Sequence, residues 1–165
     1  MVKLRNYTIS DADRFADLAN NENVSRYLIY TFPFPYKKQD AAWWIKTGSK
    51  TNNSVAKAIE YRGELVGTVG ITPQTGWKGH TAEIGYWVGE EYWGKGIATE
   101  ALNIMSDLVF STMKYKKLFA PVLDPNKASM RVLEKCGYSL EGVFKHEVYK
   151  DGHFFDGHYY AKFCP

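Results

Sequence analysis

Three groups of residues in this 165-residue chain have types and spacings that could do chemistry. The first is the run Gly89-Glu90-Glu91-Tyr92-Trp93-Gly94-Lys95-Gly96-Ile97-Ala98-Thr99, where two glycines flank a lysine ahead of a helix-forming stretch. Uncovered backbone N–H groups at the start of a helix can hold a phosphate, and glycines keep side chains out of the way. Gly89 through Lys95 has the G-x-x-x-x-G-K spacing of a nucleotide-binding P-loop, but Gly96 stands where Ser or Thr must hold magnesium. Gly94-Lys95-Gly96 begins a dinucleotide fingerprint, yet Thr99 replaces its third glycine. The acid that fingerprint expects about 20 residues on is also missing, since position 119 is Phe. A plain strand-to-helix turn uses such glycines too.

The second group is Glu83, Gly85 and Trp87, which alternate onto one face of a predicted strand while Ile84, Tyr86 and Val88 take the other. A carboxylate beside a cleft can take the proton of an ammonium group. Read alone, Glu83 fits a solvent-facing strand position equally well. The third group, Asp124-Pro125-Asn126 with Ser129, opens a helix, and Asn126 reads first as its cap. His153 and His158 are an odd number apart and so point to opposite faces of a strand. With Cys136 and Cys164 showing no ligand spacing, no metal site is expected. Cys136, on an apolar helix end before Gly137, reads as core.

The elements that must position these residues follow from periodicity. Strands are predicted over 2–7, 55–61, 64–72, 80–89, 117–123, 138–149 and 153–163, the last two joined by the hairpin turn Asp151-Gly152. Ser10 reads as the cap of a first helix carrying Phe15, Leu18 and Ala19. Short helices are expected over 23–28 and 39–50. A longer one runs over 97–113, with Ala98, Ala101, Leu102, Met105, Leu108 and Val109 on its apolar stripe, and another spans 126–136. Together they make one mixed α/β domain spanning residues 1–165.

Composition excludes other classes. The chain is 45% hydrophobic, too apolar for a disordered segment, and its net charge of +3 gives no case for nucleic acid or a membrane surface. Met1 to Arg5 alternates rather than forming the apolar run of a signal peptide, and no stretch is long enough to span a membrane. A cytoplasmic protein is expected.

The glycine run also resembles the acetyl-CoA loop Q/R-x-x-G-x-G/A of the GNAT N-acetyltransferases, with Glu91 departing from it at the Q/R position. Ala82 to Val88 with Tyr92 to Ala101, then Asp124 to Tyr138 and Glu141-Gly142, resemble the RimJ/RimL-like, ribosomal-protein alanine N-acetyltransferase branch. That resemblance covers essentially the whole chain. It implies a GNAT fold: a mixed, mostly antiparallel sheet with about four helices, whose splayed central strands bind CoA.

By the same resemblance, the amides of Gly94, Lys95, Gly96, Ile97, Ala98 and Thr99 would wrap the CoA pyrophosphate, with the Lys95 charge nearby. Trp87 and Val88 would end the splayed strand that pairs with the pantetheine arm, and Asn126 would hydrogen-bond that arm. Glu83 would be the base. Many relatives place a proton-donating tyrosine where Leu133 stands, so Ser129 is the expected substitute, contacting CoA and protonating its thiolate. The implied activity is transfer of acetyl from acetyl-CoA to a primary amine. The early loops, rich in aromatics and with Asp40 as the sole acid between Tyr27 and Trp44, favour a peptide or protein α-amine over a polyamine. A small-molecule amine, or a CoA-binding module without catalysis, are the alternatives. The chain is expected to act as a monomer or homodimer.

Overall fold

The computed structural model describes residues 1–165 and is built on one seven-stranded sheet. In chain order its elements are β1 (Val2–Arg5), α1 (Ala12–Ala19), α2 (Glu22–Ser25), α3 (Lys38–Lys46), β2 (Val55–Tyr61), β3 (Glu64–Pro73), β4 (Thr81–Val88), α4 (Ile97–Leu108), β5 (Lys117–Leu123), α5 (Lys127–Lys135), β6 (Ser139–Lys150) and β7 (His153–Phe163). The strands lie in the order β1-β2-β3-β4-β5-β7-β6. Every neighbouring pair is antiparallel except β4 and β5. All seven predicted strands are present, because each carries its own period-two signal and is bounded by turn residues. Arg62-Gly63 and Asp151-Gly152 both take positive φ, as a tight hairpin turn requires.

Two cores cover the two faces of the sheet. Ile84 and Val88 of β4 and Leu118 of β5 pack with Ile97, Leu102 and Met105 of α4 and with Leu133 of α5. On the opposite face Phe15 of α1 and Ala41 and Ile45 of α3 pack with Ala58 and Leu65, and Trp87 lies against them. The parity read from the sequence thus sends Tyr86 and Glu83 to different sides of β4.

The helices differ in detail from the expectation. There are five rather than about four. Ser10 does not cap the first: residues Ile9–Asp11 form a 3-10 turn, and Asp11 accepts the Thr8 N–H at 2.8 Å. Asp11 wins because the two Arg5 bonds of 2.8 Å pin its carboxylate there. The long helix stops at Leu108, and Val109–Met113 continues as a π-helical turn ending at Lys114 with positive φ. No helix is long and apolar enough to cross a membrane.

Candidate active site

β4 and β5 stay paired only at Thr81–Lys117, Ala82–Leu118 and Glu83–Phe119. Beyond Glu83 they part: β4 keeps β3 as its neighbour as far as Val88, and β5 keeps β7 as far as Leu123. The backbone groups that would have closed this ladder face an opening instead. A groove of about 590 Å³ leads into it, walled by Tyr86, Trp87 and Val88, by the glycine loop, and by the start of α5.

The loop is shaped as the sequence predicts. Gly94 and Gly96 sit at φ +73° and +75°, and a Cβ on either would meet no atom within 4 Å. The glycines therefore serve a left-handed backbone beside open space. Gly96 precedes α4 and contributes no capping side chain. The first-turn amides of Ile97, Ala98 and Thr99 have no partner inside the helix and sit at the positive end of its dipole. All three line the groove. Nearby acids are turned away from it. Glu91 pairs with Arg14 at 2.7 Å, Glu90 accepts amide bonds from Asn21 and Asn23, and Glu100 accepts the Val2 N–H at 2.9 Å. The Glu91 departure from the loop pattern is thereby neutralised. Lys95 follows Gly94 in the loop. Its ammonium donates to the Glu91 carbonyl at 2.8 Å and lies over the Tyr92 ring, outside the groove wall.

At the other end of the groove, Asn126 caps α5 by accepting the Ser129 N–H at 3.2 Å, and both residues also line the groove. Ser129 Oγ is 2.9 Å from the phenol oxygen of Tyr86, which also donates to the Ser129 carbonyl at 3.2 Å. Burial pushes the Tyr86 phenol well above the usual tyrosine range, although the Ser129 hydrogen bond works against it. Sequence reasoning gave Tyr86 no role. Its parity was legible, but not that this face of β4 meets the first turn of α5.

Glu83 occupies the last β4 position before the strands part, half-buried on the face opposite Tyr86. Burial raises its carboxyl pKa, as a proton acceptor for amines near neutral pH requires. Glu83 and Ser129 are thus not in contact; they flank the opening from opposite sides of the sheet. Tyr159 of β7 stacks on Phe119, the β5 neighbour of Glu83, with centroids 6.5 Å apart. Its hydroxyl donates to Glu147 at 3.0 Å. Burial, that bond, and the charges of Glu147 and Glu83 push the Tyr159 phenol up. A bulge between Phe144 and Val148 lays the exposed Glu147 over Gly157, where a Cβ would lie 3.1 Å from the Glu147 side chain. Glu147 and Tyr159 were missed as well, because a bulge breaks the alternation from which a strand's faces are read.

Trp87 packs on Phe15 at 5.2 Å and on Phe32 at 6.1 Å, so its ring is structural while its backbone borders the groove. Leu133 is fully buried. Cys136 is buried, its thiol pushed up by that burial and directed to the Thr99 carbonyl at 3.5 Å.

Comparison with known proteins agrees with this geometry. Residues 2–139 match the family model described as an acetyltransferase (GNAT) domain. An uncharacterized N-acetyltransferase, YoaA of Bacillus subtilis, is 29% identical over 98% of this chain and 93% of its own. The spermidine N(1)-acetyltransferase of Escherichia coli is 28% identical over 93% of this chain and 81% of its own. Mycobacterium smegmatis RimJ, solved in complex with CoA-disulfide, superposes with a TM-score of 0.85 at 27% identity, covering 98% of this chain and 81% of that one.

Proposed function

The chain belongs to the GNAT acetyltransferase family, and from that premise we propose that residues 1–165 act as one catalytic domain. It moves the acetyl group of acetyl-CoA to a primary amine by direct attack, with a peptide or protein N-terminal α-amine as acceptor. The observation that carries this is the parting of β4 from β5 immediately after Glu83, with the phosphate-suited loop at one end of the resulting groove. The acceptor is read from the RimJ/RimL-like motif blocks, whose resemblance is to a branch that acetylates protein termini.

When bound, acetyl-CoA supplies a thioester whose carbonyl carbon the free amine attacks, and the CoA thiol leaves. The chain's own groups do the rest. Gly94 to Thr99 hold the pyrophosphate through backbone amides. The unpaired backbone of Tyr86 to Val88 and the Asn126 side chain fix the pantetheine arm. Glu83 takes a proton from the acceptor ammonium, directly or through water, on the face opposite the groove. Ser129 holds a proton at its hydroxyl for the departing thiolate. No covalent bond to the protein forms; proximity and oriented dipoles supply the rate.

An α-amine suits a carboxylate base. Its pKa of about 7.7–8.0 lies more than two units below the roughly 10.4 of a lysine-type amine, so the proton crosses a smaller gap. Phe32, half-buried with its ring packed on Tyr36 and Trp87, suits a neutral residue beside that amine. Within the early loops Asp40 is committed to the Lys37 N–H at 2.8 Å, and Lys38 to Asp13 at 2.6 Å. One observation favours a second reading, a small polyamine. Glu147, which no count of the early loops includes, joins Glu83 beside Tyr159 and doubles the carboxylates there. The spermidine enzyme of Escherichia coli is among the relatives.

The deciding experiment measures kcat/KM, from free CoA thiol released, for spermidine and for short peptides with small free N-terminal residues. The peptides are expected to win clearly. A preference for spermidine overturns the α-amine reading, and no thiol release with any amine overturns the catalytic one.

A further inference from the structure

α5 presents Lys127, Arg131 and Lys135 to the groove. A spacing of four stacks them along one side of the helix, each about 6 Å from the next. Met130 and Leu133 are buried in the core and fix the rotation of α5, so this side cannot turn away. None of the three cations takes part in an ion pair or a side-chain hydrogen bond. Of the other charges beside the groove, Arg26 also lines it and donates only to the neutral Asn23 side chain at 2.9 Å, while the rest have partners of their own. Arg14 is paired with Glu91, Lys95 is held by the Glu91 carbonyl, and Glu134 accepts the Tyr160 hydroxyl at 3.0 Å. Together with Arg26, the α5 wall therefore carries the cations of the groove that no acid compensates.

The direction of α5 decides what that charge meets. Its first turn, with Asn126 and Ser129, stands at the opening between β4 and β5. Its far end abuts the glycine loop, since the Cys136 thiol reaches the Thr99 carbonyl at 3.5 Å. Arg131 and Lys135 thus lie toward the phosphate end of the groove. The loop amides account for two phosphates of the pyrophosphate, but coenzyme A carries a third, on its ribose. We propose that Arg131 and Lys135 bind this ribose phosphate and make the enzyme selective for CoA over ligands lacking it. This rests on the acetyl-CoA reading above.

The test is calorimetric titration of acetyl-CoA and acetyl-dephospho-CoA into three proteins: wild type, the Arg131→Gln/Lys135→Gln double variant, and Lys78→Gln, which removes a cation outside the groove. Charge-assisted contacts to a phosphate predict a wild-type preference for acetyl-CoA of roughly tenfold or more. The double variant should bind the two ligands nearly alike, while Lys78→Gln keeps the preference. All three positions are exposed, so thermal melts should coincide. Equal wild-type affinities, or a preference surviving in the double variant, overturns the assignment. A wild-type protein that binds neither ligand overturns the acetyl-CoA reading itself.

Discussion

The phenol oxygen of Tyr86 lies 2.9 Å from Ser129 Oγ, joining the parted strand β4 to the first turn of α5 across the groove. Each hydroxyl has one proton to give. If Tyr86 donates to Oγ, the Ser129 proton is free to face the groove; if Tyr86 donates to the Ser129 carbonyl, Ser129 is drawn back toward Tyr86. Burial keeps the Tyr86 proton in place at working pH, so Tyr86 acts as a fixed donor that orients its neighbour. Tyr86→Phe should lower kcat by about 3- to 10-fold, the worth of one neutral hydrogen bond, with a smaller change in KM for acetyl-CoA. In a Ser129→Ala background the same change should have almost no effect on kcat. Equal losses in both backgrounds would show that Tyr86 works independently of Ser129.

Gly96 offers a sharper test of the loop. At φ +75° any other residue pays for a left-handed backbone, about 1–2 kcal/mol, before its side chain is considered. Gly96→Ala should lower Tm modestly and weaken acetyl-CoA binding slightly, whereas Gly96→Glu adds bulk and negative charge where a pyrophosphate is expected. A folded Gly96→Glu protein with undiminished acetyl-CoA affinity, measured by titration, would move the phosphate site elsewhere.

The parts of this site that were legible in the sequence are local ones. Gly94 and Gly96 declare a left-handed turn whatever surrounds them, and Asn126 declares a cap from its place before α5. The parting of β4 and β5 is not local. It came only through family resemblance, since no alternation pattern says where two parallel strands separate. Lys95 came through the same resemblance, and the Glu91 carbonyl that its flexible side chain reaches was not legible because no spacing rule reports it. Glu147 was invisible because the bulge before Val148 re-aims it, and Tyr159 because its importance depends on which carboxylates the β6–β7 register brings to it.

Tyr159 and Glu147 should bear on the acceptor rather than on acetyl-CoA, because they sit with Phe119 and Glu83 on the face away from the groove. Glu147→Gln is expected to raise KM for the acceptor amine several-fold while KM for acetyl-CoA moves little. The effect should be larger for spermidine than for a peptide if both are turned over, since only the polyamine brings a second positive charge. Bisubstrate kinetics separate the two constants. A rise confined to the acetyl-CoA constant would place Glu147 on the wrong side of the sheet.

Glu83 couples activity to stability with opposite signs. Burial raises its pKa. Between the unfolded value, about 4.3, and the higher folded one, the native state keeps a proton that the unfolded chain has released. Stability therefore falls as pH rises through that interval, and above it the full penalty of a charged, half-buried carboxylate is present. Glu83→Gln removes that penalty, so the variant should melt at a higher temperature than wild type at pH 8, and the gap should close near pH 4. Turnover should move the other way, since a general base contributes about 10²–10⁴-fold. That loss should be greatest at moderate pH, where the amine is protonated, and should shrink toward alkaline pH as free amine becomes abundant. Paired melts and kcat profiles across pH 5–9.5 test both halves. A loss of turnover that is the same at every pH would remove Glu83 as the base, and a Tm difference independent of pH would remove its buried charge as the cause.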